Sequence, residues 1–282
     1  MNMKKIALVT DSTADLNQEF RQSCDAHVIP LKVRFDEEEL LDHQITGDEF
    51  YTRLAGAKHL PKTSQPSPED FRRLYMRLLQ EYQEIISIHI SSGLSGTLNA
   101  ARIAAESLKG KIHIVDSKTI SLGMALMVQE AAKHIREGLE ANQVVQALAK
   151  ARQNIETMFT VNTLEYLQKG GRIGRVQGLM GSILNIKPLI RVGDDGVYHT
   201  YDKVRSQEKA FKSMIQGFKD LAKGRKAVKM AIAHGAASQA AVGLKEALEN
   251  AFQIPASIVT QVGPVIGVHT GPGTLGAAFQ YE

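Results

Sequence analysis

The sequence predicts an α/β protein built in two parts: an N-terminal parallel sheet flanked by helices, then a C-terminal part in which helices accompany a mixed or antiparallel sheet. Three observations predict it. Short β-rich runs alternate with stretches of helical spacing through the first half, the rhythm of strands joined by crossover helices. Beyond about residue 155 the texture changes to glycine-rich chain, followed by two apolar runs around a tight DDG turn, which is a hairpin signal. Finally, 282 residues are more than one ordinary core needs, since domains commonly hold roughly 100–200. We expect an N-terminal α/β domain over 1–155 and a C-terminal α/β domain with a mixed sheet over 156–282.

Taken in order, KKIALVT (4–10) is a strand that stops at Asp11, Ser12 and Thr13, and DLNQEFRQS continues with helical spacing. HVIPLKVRF (27–35) reads as extended, with Pro30 at an edge or a bend. Thr46 and Glu49 have capping-box spacing ahead of EFYTRLA, and Ser67 with Pro68 opens the helix EDFRRLYMRLLQEY. EIISIHI, a glycine-serine loop, a helix, KIHIVDS and a helical stretch at about 121–137 complete the first half, and NQVVQALAKARQNI is amphipathic. In the second half KGGRIGRVQGLMG is too glycine-rich for one undisturbed helix. PLIRVGDDGVYHTYDKV follows as a hairpin, then a helix (SQEKAFKSMIQGFKDLA), a strand (VKMAIAHG), a helix (SQAAVGLKEALENAF) and a strand (ASIVTQVG).

Bulk properties exclude several classes. Hydrophobic residues make up 43% and charged residues 23% of the chain, the balance of a globular protein. The formal charge of +4 is spread along the chain without a basic tail, which points weakly to an acidic partner and away from nucleic acid. The single cysteine, Cys24, forms no internal disulfide framework or cysteine metal cluster and suggests a reducing compartment. The apolar stretch near the start ends at Val9, too short for a signal peptide, and no window approaches the roughly 20 apolar residues of a membrane span. We expect a cytoplasmic protein with no cofactor.

Four polar clusters fall beyond strands or between elements: DST (11–13), KTSQPSP (62–68), SSGLSGT (91–97) and GPVIGVHTGPGTLG (263–276). Ligands of open α/β sheets bind outside the carboxyl ends of the strands, so the first and third should share one rim. In SSGLSGT a strand hands over to a helix whose first amides are unpaired and attract anions, while glycine allows close approach. Each cluster also has a plain reading as a helix cap or a turn. Ser95 as a hydrolase nucleophile lacks the elbow pattern, because Thr97 stands where G-x-S-x-G needs glycine. No Walker loop is present, GRIGRVQG lacks a strand before it, and the histidines have no metal-ligand spacing. Among them His269 stands out for its glycine- and proline-rich surroundings. Arg172, Arg175, Lys187, Arg191, Lys203 and Arg205 crowd 170–205, either as a solvated basic face or as a docking surface facing phosphates.

The pattern resembles the DegV family of bacterial fatty-acid-binding proteins. The resemblance is carried, in the family's order and over nearly the whole chain, by VTDSTADL, KTSQPSP, SSGLSGT, LEYLQKGGRIG, LNIKPLI followed by DKVRSQEKA, and GPVIGVHTGPGTLG. It implies a two-domain α/β carrier for a long-chain fatty acid such as palmitate, rather than an enzyme. Thr63 and Ser95 would contact the carboxylate, with Ser64 and Gly96 beside them and His269 at the same end. It further implies a separate fatty acid kinase as partner, making an acyl phosphate; we expect Arg172, Arg175 and Arg205, from the basic segment, to face that kinase and its phosphates instead of the lipid. Physical chemistry agrees with such a ligand: at about 0.8 kcal/mol per methylene, a 16-carbon tail contributes on the order of 10 kcal/mol before losses. Hydroxyls and loop amides can satisfy the carboxylate without a permanent cation, and a protonated His269 would add a charge-assisted bond. Met124, Met127, Met158, Met180 and Leu184 are candidates for the tail's lining, although methionines at helical spacing are more often plain core. The rival readings are an acyl hydrolase or transferase with Ser95 as nucleophile and His269 as base, and a regulatory sensor of the same ligand.

Overall fold

A computed structural model describes residues 4–106, 108, 111–179 and 186–282. Its first half runs β1 (Lys4–Asp11), α1 (Gln18–Ser23), β2 (Ala26–Ile29), β3 (Lys32–Phe35), β4 (Glu38–Leu41), α2 (Gly47–Gly56), β5 (Lys62–Ser64), α3 (Pro68–Leu78), β6 (Tyr82–His89), α4 (Thr97–Glu106), β7 (Ile112–Asp116), α5 (Leu122–Arg136) and α6 (Ala141–Gln153). The second half runs β8 (Ile155–Thr160), α7 (Glu165–Lys169), β9 (Lys187–Val192), β10 (Tyr198–Val204), α8 (Gln207–Ala222), β11 (Ala227–His234), α9 (Ser238–Phe252), β12 (Ala256–Gln261), α10 (Pro264–Thr270) and β13 (Leu275–Tyr281).

The first sheet is parallel throughout, in the order β2-β1-β6-β7. The chain passes from β1 to one side and later to the other, so the strand order reverses between β1 and β6, and the crevice at their carboxyl ends is where such sheets bind ligands. The second sheet has the order β10-β9-β8-β13-β11-β12 and is antiparallel except for the β11–β12 pair. β9 and β10 form the hairpin expected around DDG. Pro30 sits between β2 and β3, which go to different sheets, as a residue without a backbone donor allows. A third, small antiparallel sheet, β4-β3-β5, was not expected, and it carries Thr63 and Ser64 on β5.

α5 joins the two large sheets. Ten of its residues, from Leu122 to Ala132, are buried, and it touches β1 and β6 of one sheet and β8, β11 and β13 of the other. Over Leu122–Val128 the helix is apolar on all sides, as suits such an interior, and the buried Glu130 that follows is paired with Lys229. The largest core accordingly crosses from Ile6, Leu8, Ile86 and Ile88 to Ile190, Val192, Ala231 and Ala278. A smaller core packs α2 and the small sheet, through Leu31, Val33 and Phe50, against Val265 and Val268 of α10. α10 is thereby held against the mouth of the crevice. No helix among the described residues is long and apolar enough to cross a membrane.

Candidate functional site

The four polar clusters meet. A cavity of about 250 Å³ opens at the β1/β6 crevice, walled by Thr13 after β1, Thr63 and Ser64 of β5, Gln65, Ser95, and His269 of α10, with Ile90, Leu94, Ile120, Tyr198, Val265 and Ile266 as its apolar lining. The inference that DST and SSGLSGT share a rim holds in atomic detail, since Ile90 donates its amide to Asp11 Oδ2 at 3.1 Å. Ser95 stands at the end of the Ser91 turn, its amide 3.1 Å from Ser91 O, and its Oγ lies 2.9 Å from Thr97 Oγ1 at the start of α4. Gly96 does not line the cavity; a side chain there would collide with Gln65, whose Oε1 would lie 2.2 Å from its Cβ. A larger residue at 96 would therefore turn the end of the Gln65 side chain aside.

Thr63 Oγ1 and His269 Nε2 are 2.9 Å apart. His269 Nδ1 is buried and has no hydrogen-bond partner among the described residues. A buried lone pair without a donor costs less than a buried N–H without an acceptor, so the favoured tautomer carries hydrogen on Nε2 and donates to Thr63. That leaves the Thr63 hydroxyl hydrogen for an acceptor in the cavity. Burial, and secondarily the nearby Arg172 charge, push His269 down to about 4. Burial thus favours the neutral imidazole over the expected protonated form, with Nε2 placed on the Thr63 hydroxyl.

Arg172, expected to face a partner, is half-buried and lines the cavity, with Nη1 on Gly170 O at 2.8 Å and Nε on Leu94 O at 3.4 Å. The site therefore contains a permanent cation, which a list of basic residues could not assign to one side of the chain. Arg175 and Arg205 are exposed, and Arg175 pairs with Asp195 at 2.8 Å. Thr13, Gln65, Leu94 and Tyr198 were not singled out as wall residues; Thr13, Gln65 and Leu94 lie inside the quoted motifs, whereas Tyr198 gave no signal. Ser95 is not hydrogen bonded to His269, whose Nε2 is on Thr63, so the two do not form a nucleophile–base pair.

A mostly apolar chamber of about 30 Å³ lies beyond the cavity and shares Ile120, Tyr198 and Ile266 with it. Met158 is in its wall, whereas Met124 and Met127 belong to the packed core; Met180 and Leu184 lie outside the described residues.

Behind the site, a second concavity holds Asp15 and Asp42. Asp15 joins three elements: it accepts from Ser121 Oγ at 2.5 Å and from the Gly263 amide, at the start of α10, at 2.9 Å. Burial raises both carboxyls to about 7, opposed by hydrogen bonds from Ser121 to Asp15 and from Ser12 to Asp42. The unfolded chain releases these protons near 3.8. The stability they contribute is thus fully present below that value and is lost as pH rises toward 7. Asp15→Asn, which keeps an acceptor for Gly263, is expected to melt above the wild type at pH 8, with the gap closing toward pH 4. Thermal melts across that range check this, at about 2–4 °C per kcal/mol; an equal gap at every pH would contradict it.

A family model described as "Uncharacterised protein, DegV family" matches residues 5–282. A DegV domain-containing protein of Clostridium acetobutylicum is 39% identical over 99% of this chain and 100% of its own length. One from Staphylococcus aureus is 33% identical over 97% of this chain and 98% of its own. Among solved structures, a DegV family protein from Thermus thermophilus, described by its fatty acid binding, is 35% identical with a TM-score of 0.92, covering 99% of this chain and 100% of that one. A stearic acid-binding protein from Eubacterium ventriosum is 27% identical with a TM-score of 0.88, covering 99% and 98%.

Proposed function

The chain belongs to the DegV family, and from that premise we propose that it is a non-enzymatic carrier of a long-chain fatty acid. The observation that carries this reading is the convergence of Thr63, Ser95 and Arg172 from three separate segments on one cavity whose other wall is apolar. The carboxylate accepts hydrogen bonds from the Thr63 and Ser95 hydroxyls and faces the Arg172 charge, with Ser64 at the rim. His269 holds Thr63 as a donor. The tail lies along Ile120, Tyr198 and Ile266 toward the chamber beside Met158. Hydrogen bonds to a charged group contribute about 1.5–3 kcal/mol each, and the methylenes supply the remainder of the affinity.

The carrier presents its cargo, in this reading, to a separate kinase that forms the acyl phosphate in the cytoplasm. Exposed Arg175 and Arg205 suit contact with that partner or its nucleotide, since arginine forks match phosphate geometry.

Mass spectrometry of small molecules released when the purified protein is denatured tests the reading. Fatty acids of about 16–18 carbons are expected at near one per chain, and Thr63→Val with Ser95→Ala should retain far less. A protein that carries no lipid and takes up none from solution would end the proposal.

A further inference from the structure

We propose that Asp11 is a positioning residue for the head-group site, held in place by a one-way hydrogen-bond chain that begins at Tyr75 and passes through Ser87 and His89. This inference rests on the fatty-acid reading above and adds to it residues that never touch the ligand. All four side chains are wholly buried. Tyr75 OH lies 2.9 Å from Ser87 Oγ, Ser87 Oγ lies 2.7 Å from His89 Nε2, and His89 Nδ1 lies 2.9 Å from Asp11 Oδ2. A carboxylate only accepts, so Nδ1 must carry hydrogen. Nε2 is then served by the Ser87 hydroxyl, and Ser87 in turn by Tyr75. Phe71 stands edge-on to the imidazole, with centroids 5.0 Å apart, and restrains its rotation.

At the far end of this chain Asp11 gathers four donors. Oδ2 takes the Ile90 amide at 3.1 Å as well as His89, and Oδ1 takes the Thr13 amide at 3.0 Å as well as the Thr13 hydroxyl. A buried carboxylate is tolerated only when satisfied in this way. Thr13 and Ile90 are both cavity walls, and the Ser91 turn that presents Ser95 begins at the next residue after Ile90. Asp11 therefore fastens the β1 rim to the β6 rim and fixes where Ser95 stands. Asparagine has the same shape but must turn an NH₂ group toward one pair of donors. On the Oδ2 side, it can be accepted only if His89 moves its hydrogen to Nε2 and the whole chain reverses, with the Ile90 amide still left facing a donor.

Long-range proton–nitrogen correlation spectra of the intact protein, with His89 assigned against His89→Gln, read the tautomer directly. The wild type is expected to show hydrogen on Nδ1 alone; hydrogen on Nε2, alone or together with Nδ1, overturns the chain. Palmitate affinity is then compared between Asp11→Asn and Leu78→Ala, the second of which opens a cavity in the core around Tyr75 without touching the hydrogen-bond chain. We expect affinity to fall about tenfold or more for Asp11→Asn and to stay within about twofold for Leu78→Ala, even where both melt at the same lowered temperature. Equal losses in two variants of equal stability would reduce Asp11 to a structural role and leave the fatty-acid reading standing. A wild type that binds no palmitate overturns that reading, and this inference with it. Should Asp11→Asn fail to fold, the wild-type spectrum still decides the direction of the chain.

Discussion

Replacing Arg172 with glutamine is expected to weaken long-chain fatty acid binding by about 10- to 100-fold at pH 7.5, the loss of about 1.5–3 kcal/mol that accompanies removal of a charged donor from a carboxylate. Among the described residues that line the cavity, Arg172 is the one that carries full charge at that pH, because burial and Arg172 itself hold His269 in its neutral form. The same substitution removes the lesser of the two causes that depress His269 and leaves burial, the larger one, in place. The imidazole should then titrate above about 4 while staying below its ordinary 6.5, and partial protonation of His269 should restore a fraction of the lost affinity only at the acid end, near pH 5. The wild type, whose His269 stays neutral down to about 4, should show no such recovery. Equilibrium binding from pH 5 to pH 8 separates these outcomes. If Arg172→Gln kept full lipid content and affinity but slowed transfer of phosphate from a partner kinase, Arg172 would act outward and the inward assignment would fall.

This outcome also marks where the sequence stops being informative. The parallel sheet, the hairpin and most helices were legible because apolar spacing, capping residues and the DDG turn are local signals. Convergence of Thr63, Ser95 and His269 was implied by the family resemblance and not by spacing, since 206 residues separate Thr63 from His269. The side of the chain to which Arg172 turns was not legible. A long basic side chain suits solvent or a carboxylate pocket equally well, and only the packing of the loop around Gly170 decides between them. Strand β13, LGAAFQY, lacks the β-branched residues that announce a strand, yet it pairs with both β8 and β11 at the centre of its sheet. Helix α10 is hidden in a segment whose glycines and prolines read as turns. The Asp11–His89 link needs two adjacent parallel strands, a fact of tertiary structure that no single motif contains.

The length of acyl chain that the protein accepts should be set at Ile266, and Ile266→Trp is expected to shorten it. Ile266 lines both the cavity and the apolar chamber beyond it, and its side chain is almost wholly buried. The chamber offers only about 30 Å³, so a tail entering there must displace side chains, and Met158, flexible at its thioether, is the wall best suited to yield. An indole at position 266 fills that space with a rigid ring. If about four methylenes are thereby kept from apolar contact, at about 0.8 kcal/mol each, affinity for a 16- or 18-carbon acid falls by about 200-fold, while an acid of about 12 carbons loses little. Overpacking costs about 1–3 kcal/mol of stability, so melting temperature is measured alongside binding. The comparison with Ser95→Ala is decisive because a head-group defect lowers affinity for every chain length by the same factor, whereas a blocked passage changes the slope of affinity against carbon number. An unchanged slope in Ile266→Trp would mean that the tail leaves the cavity by another route, and the chamber beside Met158 would then be ordinary core.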